Sequence, residues 1–315
     1  MAFADVSGDD EDAQGHRGEG RVAAVESVAL GVIVALIASA LFNTGLLIEA
    51  RRTRVIAPDE TSGAVALFRR LIKDRMWLFG VFLDVLALPL HAVALLLAPV
   101  TVVQPTLAAG LLILLAAGKR SGHAATRREA GGVLAVIAGV TGVALLAPER
   151  TAEDGGVLAL GLTLAVLGMV IAATALLARR RGLGPGPRSA AAMVAAGLAY
   201  ALSSVELKLM SNELAASAWL AAFGWFAAVV LTDGFGLGRE MQSLQRRPAT
   251  QVGPMIFVLP VIIPVLLAPL LFGEDWAATP GGGLPLVLSV LAATGGAAVL
   301  AGSPMLAAAT PSAKR

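Results

Sequence analysis

Apolar residues run in long unbroken blocks along this chain, each closed by a short polar or basic stretch. The first block extends from Ser27 to Ile48, and eight more lie near 76–98, 100–118, 130–147, 156–178, 189–209, 216–245, 250–273 and 284–302. A helix needs roughly 20 consecutive apolar residues to cross the hydrocarbon core of a bilayer. The blocks therefore predict an all-α polytopic membrane protein of about nine transmembrane helices. Residues 1–26 depart from the pattern. They are rich in Gly, Asp and Glu, with the run Gly8-Asp9-Asp10-Glu11-Asp12 and no apolar face, and predict a disordered tail. The first block is longer than a signal-peptide core and has no convincing cleavage site, so it is expected to stay as a membrane helix.

Composition sharpens the reading. Of 315 residues, 57% are hydrophobic and 15% charged, against roughly 25% charged in soluble domains. A mean hydropathy of +0.79 excludes a soluble enzyme on a single anchor. The absence of cysteine excludes disulfides, thiol catalysis and Cys-ligated metal sites. The net charge is only +2, and the basic residues sit in short clusters between apolar blocks without an aromatic-rich basic face, so no nucleic-acid partner is expected.

Those clusters instead set topology. Nineteen of the 24 Lys and Arg fall in 51–75, 119–129, 179–188, 246–249 and the C-terminus, all on one side if nine helices cross. The other side holds Arg17, Arg21 and Arg150. The positive-inside rule then predicts an extracytoplasmic N-terminus and a cytoplasmic C-terminus in a plasma (inner) membrane. In the first basic loop, Ala64 to Arg75 places apolar residues on one helical face beneath a basic one, which predicts a segment lying on the inner leaflet with anionic lipid as partner at 64–75. A basic solvated loop is the alternative. Arg179 to Arg188, with Gly182, Gly184, Pro185 and Gly186, reads as a hinge between helices.

The sequence also repeats. At an offset of 149, Val81–Pro105 aligns with Val230–Pro254 with eight identities in 25 columns, among them Asp84 with Asp233, Pro99 with Pro248, Thr101 with Thr250 and Pro105 with Pro254. Spans one to four then correspond to spans six to nine, and the fifth joins them. One intervening helix makes the second half enter the membrane from the opposite face, which gives an inverted repeat. The resulting organisation is a tail at 1–26, a first four-helix repeat at 27–147, a linker helix and hinge at 148–188, a second repeat at 189–302 and a cytoplasmic tail at 303–315. Inverted repeats have two near-equivalent conformations around a site between the halves, the architecture of secondary transporters. There is no GxxxxGK[ST] loop, and Gly234-Phe-Gly236-Leu-Gly238 lies in a membrane helix, so nucleotide is not the expected motor.

Several stretches carry a family resemblance: Trp77-Leu78-Phe79-Gly80, Ala98-Pro99 through Gln104-Pro105, Ser203-Ser204-Val205-Glu206-Leu207-Lys208, and Pro254 through Leu271-Phe272-Gly273-Glu274-Asp275-Trp276. Together they resemble the drug/metabolite transporter (DMT) superfamily, most of all its NIPA-type magnesium transporter branch, over nearly all of residues 27–302. The resemblance implies a carrier of two inverted bundles. It implies divalent-cation cargo such as Mg²⁺ in the NIPA branch, or small organic solutes in the EamA-like branch. The pattern often closes the third helix with an acidic residue. This chain has Gly118-Lys119-Arg120 there and keeps Glu274 at the matching place of its second half.

Ionisable side chains at helix depth cost about 2.5–3.5 kcal/mol each on insertion scales, and so call for a partner and a reason. Asp84 and His91 lie seven apart, two turns along one face, and Asp233 and Glu240 repeat that spacing at the same offset. With Glu206 and Asn43 they are the candidate substrate or ion pathway. Asp84 and Asp233 are the candidate metal ligands, suited through oxygen to a partly hydrated Mg²⁺. The structural alternative is interhelical hydrogen bonding that fixes packing. His91 sits near an outer helix end where interfacial water could meet it. Glu240 falls either within the span or at its cytoplasmic end. Lys208 either neutralises Glu206 or snorkels outward. Gln104 and Gln251 read as helix-start residues. Pro254, Pro260 and Pro264, with Pro269, interrupt the eighth span, which is expected to bend and gate.

The expectation is thus a secondary transporter moving a small solute or divalent cation by alternating access, with the bilayer as its surround and no cofactor. Alternatives are an exporter of an organic metabolite, whose anionic group would meet Arg239 and Lys208, and a non-transporting scaffold. An enzyme is not expected, because only His16, His91 and His123 could serve as imidazole bases and no nucleophile accompanies them. Small residues in several spans suit self-packing and a homodimer alike.

Overall fold

The computed structural model describes residues 7–53, 55–56, 64–112, 126–150, 156–180, 182, 184–246 and 249–302. Its elements are α1 (Ser7–Thr53), α2 (Ala64–Leu71), α3 (Arg75–Leu97), α4 (Val100–Ala108), α5 (Arg127–Leu145), β1 (Glu149–Arg150), α6 (Gly156–Arg179), α7 (Pro185–Ala215), α8 (Trp219–Arg246), α9 (Ala249–Phe272), β2 (Glu274–Asp275) and α10 (Leu284–Ala301). Among the described residues, seven helices are long and apolar enough to cross a membrane: Val25–Thr53, Arg75–Leu97, Arg127–Leu145, Gly156–Arg179, Pro187–Ala215, Trp219–Leu244 and Leu284–Ala301. The apolar part of α9, Ile256–Phe272, is shorter. The protein is a multi-pass, all-helical membrane protein apart from one two-residue ribbon.

Local chemistry sets the helix limits. Asp74 caps α3: its Oδ1 accepts from the N–H of Met76 at 2.9 Å and of Trp77 at 3.2 Å, satisfying two of the four donors left open at a helix start. Thr126 and Glu129 form a reciprocal capping box at the head of α5. Pro99, with its fixed φ and no N–H, separates α3 from α4. Pro185 opens α7 at a first-turn position. The hinge expected at 179–188 is therefore shorter than its Gly and Pro content suggested. At the other extreme α1 is helical from Ser7, ahead of the tail boundary expected at 26.

Side chains that would be anomalous in water cover the outside. Ile33 and Ile37 on α1, Phe79 and Phe82 on α3, and Val157 and Leu162 on α6 are all exposed, as hydrocarbon solvent allows. Lipid gives helices no hydrophobic reason to associate, so their contacts rest on close packing. Three pairs dominate: α1 along α3, α7 along α8, and α5 along α10, with α9 against α7, α4 and α10. The α5–α10 crossing is tight. A Cβ on Gly296 would stand 2.7 Å from Gly132 O, and one on Gly139 would meet Ser289 O at 2.6 Å and the backbone of Ala293. The β1–β2 ribbon pairs Glu149 with Asp275 and Arg150 with Glu274, antiparallel, joining the α5–α6 link to the α9–α10 link.

The apolar interior is layered. Near the end carrying Arg51 and Arg52, hereafter the basic end, Ala50, Leu67, Leu71, Trp77, Met193, Met241 and Leu244 pack together. Toward the opposite end a larger cluster includes Leu95, Val102, Val205 and Phe272. The first cluster corrects the expectation for 64–75. Leu67 and Leu71 of α2 are buried in protein, at 1% and 0% exposure, while Arg69 and Arg70 are exposed. Trp77 meets Phe68 edge-on at 5.7 Å, so the apolar face of α2 closes over the bundle rather than entering the leaflet.

Gly139→Leu is expected to lower the thermal unfolding midpoint in detergent, because overpacking a close crossing costs about 1–3 kcal/mol. Gly168→Ala, where an added Cβ meets nothing within 4 Å, should leave the midpoint unchanged. Asp74 supplies a pH test. Slight burial raises its pKa, but the Arg52 hydrogen bond, the Trp77 and Met76 N–H groups and the Arg52 charge together hold it below the ordinary value of 3.8. The stabilisation of wild type over Asp74→Asn should be present above that value and disappear as pH falls through the depressed one.

Candidate functional site

The site begins where α1 and α3 nearly touch. A Cβ on Gly80 would lie 2.8 Å from Glu49 Cγ and 3.0 Å from Gly45 O. One on Gly45 would strike Asp84 Oδ1 and lie 2.8 Å from Gly80 O. Glycine at both positions brings the two backbones together, and the crossing sets Asp84 against α1 and Glu49 against α3. Asp84 shares one stripe of α3 with Trp77, Gly80, Ala87 and His91, all buried. Its carboxylate therefore faces protein and not acyl chains.

The α7–α8 pair faces this crossing. On α8, Asp233 lies on the stripe of Val229, Gly236 and Glu240, again buried against protein. Tyr200, the one tyrosine of the chain, donates from its hydroxyl to Glu240 Oε2 at 2.6 Å. Thr232 donates to Glu206 Oε1 at 3.3 Å, and Ser203 lies beside Asp233. The carboxylates form a connected series: Glu206 neighbours Asp233, Asp233 neighbours Asp84, and Asp84 neighbours both Glu240 and Glu49.

This series has no counter-charge. Among the described residues none of the five carboxylates has a Lys or Arg at salt-bridge distance. The nearby bases are engaged elsewhere. Arg52 holds Asp74 at 2.6 Å, Arg239 lies 5.1 Å over the Phe235 ring, and Lys208 donates to Leu95 O at 2.7 Å. Buried oxygens without a hydrogen-bond partner include both of Glu49, Asp84 Oδ1, Glu206 Oε2 and Glu240 Oε1. Each is a strong acceptor removed from water, an arrangement that ordinarily costs several kcal/mol unless a cation or proton supplies the missing partner.

At the end opposite the basic one lies a satisfied polar group. Glu274 accepts from Val100 N at 2.6 Å, from Thr101 N at 3.2 Å and from the Thr101 hydroxyl, while Trp276 Nε1 donates to Thr101 Oγ1 at 3.2 Å. Glu274 thus closes the N-terminus of α4. Burial raises its pKa above the ordinary glutamate value, and the Thr101 and backbone donors and the Lys208 charge pull it part of the way back. Lys208 is 1% exposed, and its charge acts on Glu274. It neither snorkels outward nor pairs with Glu206.

Of the residues singled out in the sequence, Asp84, Asp233, Glu206 and Glu240 come together. Helix α8 runs unbroken to Arg246, and Glu240 is buried within it. His91 stands apart, buried edge-on to Phe42 at 6.2 Å. Asn43 is tied into its own helix, donating to Ser39 O at 2.8 Å, near Gly110 of the segment after α4. Gln104 is buried inside α4. Pro260 and Pro264 lie within the continuous helix α9, and Pro254 and Gln251 lie where α9 is described by its backbone alone. Among the described residues no three His, Asp or Glu converge to hold one metal ion. Sequence reasoning missed Glu49, taken as the end of a span, and Tyr200. The signal for Glu49 was its place directly after an apolar block, one turn past Gly45 on the same helix face.

Comparison of the chain with protein-family models, with curated proteins and with solved structures found no match.

Gly45→Ala should separate α1 from α3, lowering the unfolding midpoint by an amount equivalent to about 1–3 kcal/mol. The added methyl would displace the Asp84 carboxylate. A stability loss no larger than that of Gly168→Ala would show that the crossing tolerates the methyl.

Proposed function

We propose that this protein is a secondary transporter that moves a cationic solute by alternating access, with Asp84, Asp233 and Glu206 at the centre of the path. The observation that carries this reading is a series of five interior carboxylates, Glu49, Glu206 and Glu240 buried and Asp84 and Asp233 partly so, four of them with an unpartnered oxygen and, among the described residues, none at salt-bridge distance from a base. Membranes rarely keep such groups, and those they keep mark substrate or ion routes. Asp84 lies nine residues into α3 and Asp233 fourteen into α8. At 1.5 Å per residue both sit roughly 14–21 Å from a helix end, close to mid-membrane.

The helix pairing supports the inverted repeat. Under the offset of 149, α1–α3 is the counterpart of α7–α8, and these are two of the three most extensive contacts. The third, α5 with α10, joins elements that are each other's counterparts, as α4 with α9 does, which is how a pseudo-two-fold axis pairs them. On this reading α4 and α9 complete nine spans, α6 is the linker, and the basic end is cytoplasmic. The resemblance to the DMT superfamily agrees with that architecture. The placement of Arg239 and Lys208 away from the carboxylates favours a cation over an anionic metabolite. The apolar layer of Leu67, Leu71, Trp77 and Met241 would serve as the closure at the basic end.

Cation uptake into proteoliposomes, measured for Mg²⁺ and for a panel of amines and amino acids, tests the proposal. Asp84→Asn and Asp233→Asn are each expected to reduce flux roughly 10- to 100-fold, the loss of one charge-assisted contact. Undiminished flux in both variants would remove these residues from the path. Absence of any flux from wild type would favour a scaffold.

A further inference from the structure

The carboxylates extend along the bundle, with Glu49, Asp84 and Glu240 mutually adjacent at one end. The order along the bundle is Glu206, Asp233, Asp84, then Glu240 and Glu49, each neighbouring the next. Asp233 and Glu240 alone are separated by seven residues of α8, about 10 Å of helix. A divalent metal needs its oxygens around one point, and Mg²⁺ in particular demands near-octahedral geometry at about 2.0–2.1 Å. Among the described residues no three acidic or imidazole groups converge in that way.

A second observation is independent of the clustering. Glu49 is 1% exposed, and both of its carboxylate oxygens lack a partner. Together with Asp84 Oδ1, Glu206 Oε2 and Glu240 Oε1, it makes a row of acceptors with no donor to meet them. Tyr200 occupies Glu240 Oε2 and leaves the other oxygen open. An ammonium group carries three N–H donors and a full charge, and so satisfies two or three such oxygens at one station. Between stations the helix stripes carry small residues, Gly80 and Ala87 on α3, Ala196 and Ala199 on α7, and Gly236 on α8, with Gly80 packed on Glu49 and Gly236 on Tyr200.

Building on the transporter reading, we propose that the ligand class is a linear polyamine, with two or more ammonium groups joined by methylenes, seated along Glu206, Asp233, Asp84, Glu240 and Glu49. Glu49 is the specificity-determining residue at the basic end. It receives the far ammonium of a long ligand and does not meet a short one held at Asp84 and Asp233.

The test uses the purified full-length protein in detergent, with apparent Kd taken from thermal shift. The probes are n-butylammonium, putrescine, spermidine and magnesium chloride. Affinity should rise from n-butylammonium through putrescine to spermidine. Glu49→Gln, which removes charge without removing volume, should weaken spermidine by about tenfold or more and leave n-butylammonium unchanged. Glu240→Gln, read the same way, guards against a folding defect in the first variant. Spermidine bound no better than n-butylammonium, spermidine affinity unchanged in both variants, or stabilisation by Mg²⁺ alone would each overturn the proposal. Binding as expected without liposome flux would remove the transporter reading and leave the ligand class standing. Mg²⁺ flux without polyamine binding would do the reverse.

Discussion

What sets this structure apart from ordinary membrane packing is a group of acidic side chains drawn out of solvent between the helices. Five carboxylates from α1, α3, α7 and α8 share one interior, and several of their oxygens accept nothing. In a medium of low polarity, like charges repel over long distances and desolvation penalises each ion separately. Hydrophobic side chains of similar volume would make a more stable bundle. A protein that keeps such a group has stability given up at one place, and the missing positive charge is the most informative property of the site.

The helices accommodate that charge through backbone proximity. Gly45 and Gly80 bring α1 and α3 together closely enough that Glu49 and Asp84 cross over to each other's helix. Close packing is a main force between helices in lipid, so the contact that holds the pair together also positions the acids. On the other side Tyr200 orients Glu240, and Thr232 orients Glu206. At the far end the polar chemistry is of a different kind: Glu274 is saturated by the α4 N-terminus and Thr101, and Lys208 lies buried beside it. The Glu274 group thus has its hydrogen bonds complete, and the carboxylates of the middle do not.

Much of the fold was legible because hydropathy in a bilayer is a strong, one-dimensional signal. Each long apolar helix falls on a block visible in the chain, and Asp84 and Asp233 stood out because acids are rare inside such blocks. The register between helices was harder to read. Glu49 was hidden because it follows its block and resembles an interfacial residue. Only the Gly45–Gly80 crossing, a tertiary event, carries it inward. Tyr200 gave no signal, since a lone aromatic in an apolar run is usually core. The amphipathic pattern of α2 was read correctly as a helix with one greasy face. Pattern alone does not distinguish a lipid surface from the floor of a protein bundle, and Leu67 and Leu71 found the latter. His91 and Asn43 stand apart from the carboxylates, His91 edge-on to Phe42 and Asn43 donating to Ser39 O, each with one buried polar atom left without a partner.

The short β1–β2 ribbon limits how such a molecule can rearrange. It staples the connection after α5 to the connection after α9, while α5 and α10 already interlock through their glycines. A change that parted these elements would have to break the main-chain pairing of the ribbon. The ribbon thus ties the links at one end of the α5–α10 pair, and all five acids lie on the other two pairs, α1–α3 and α7–α8.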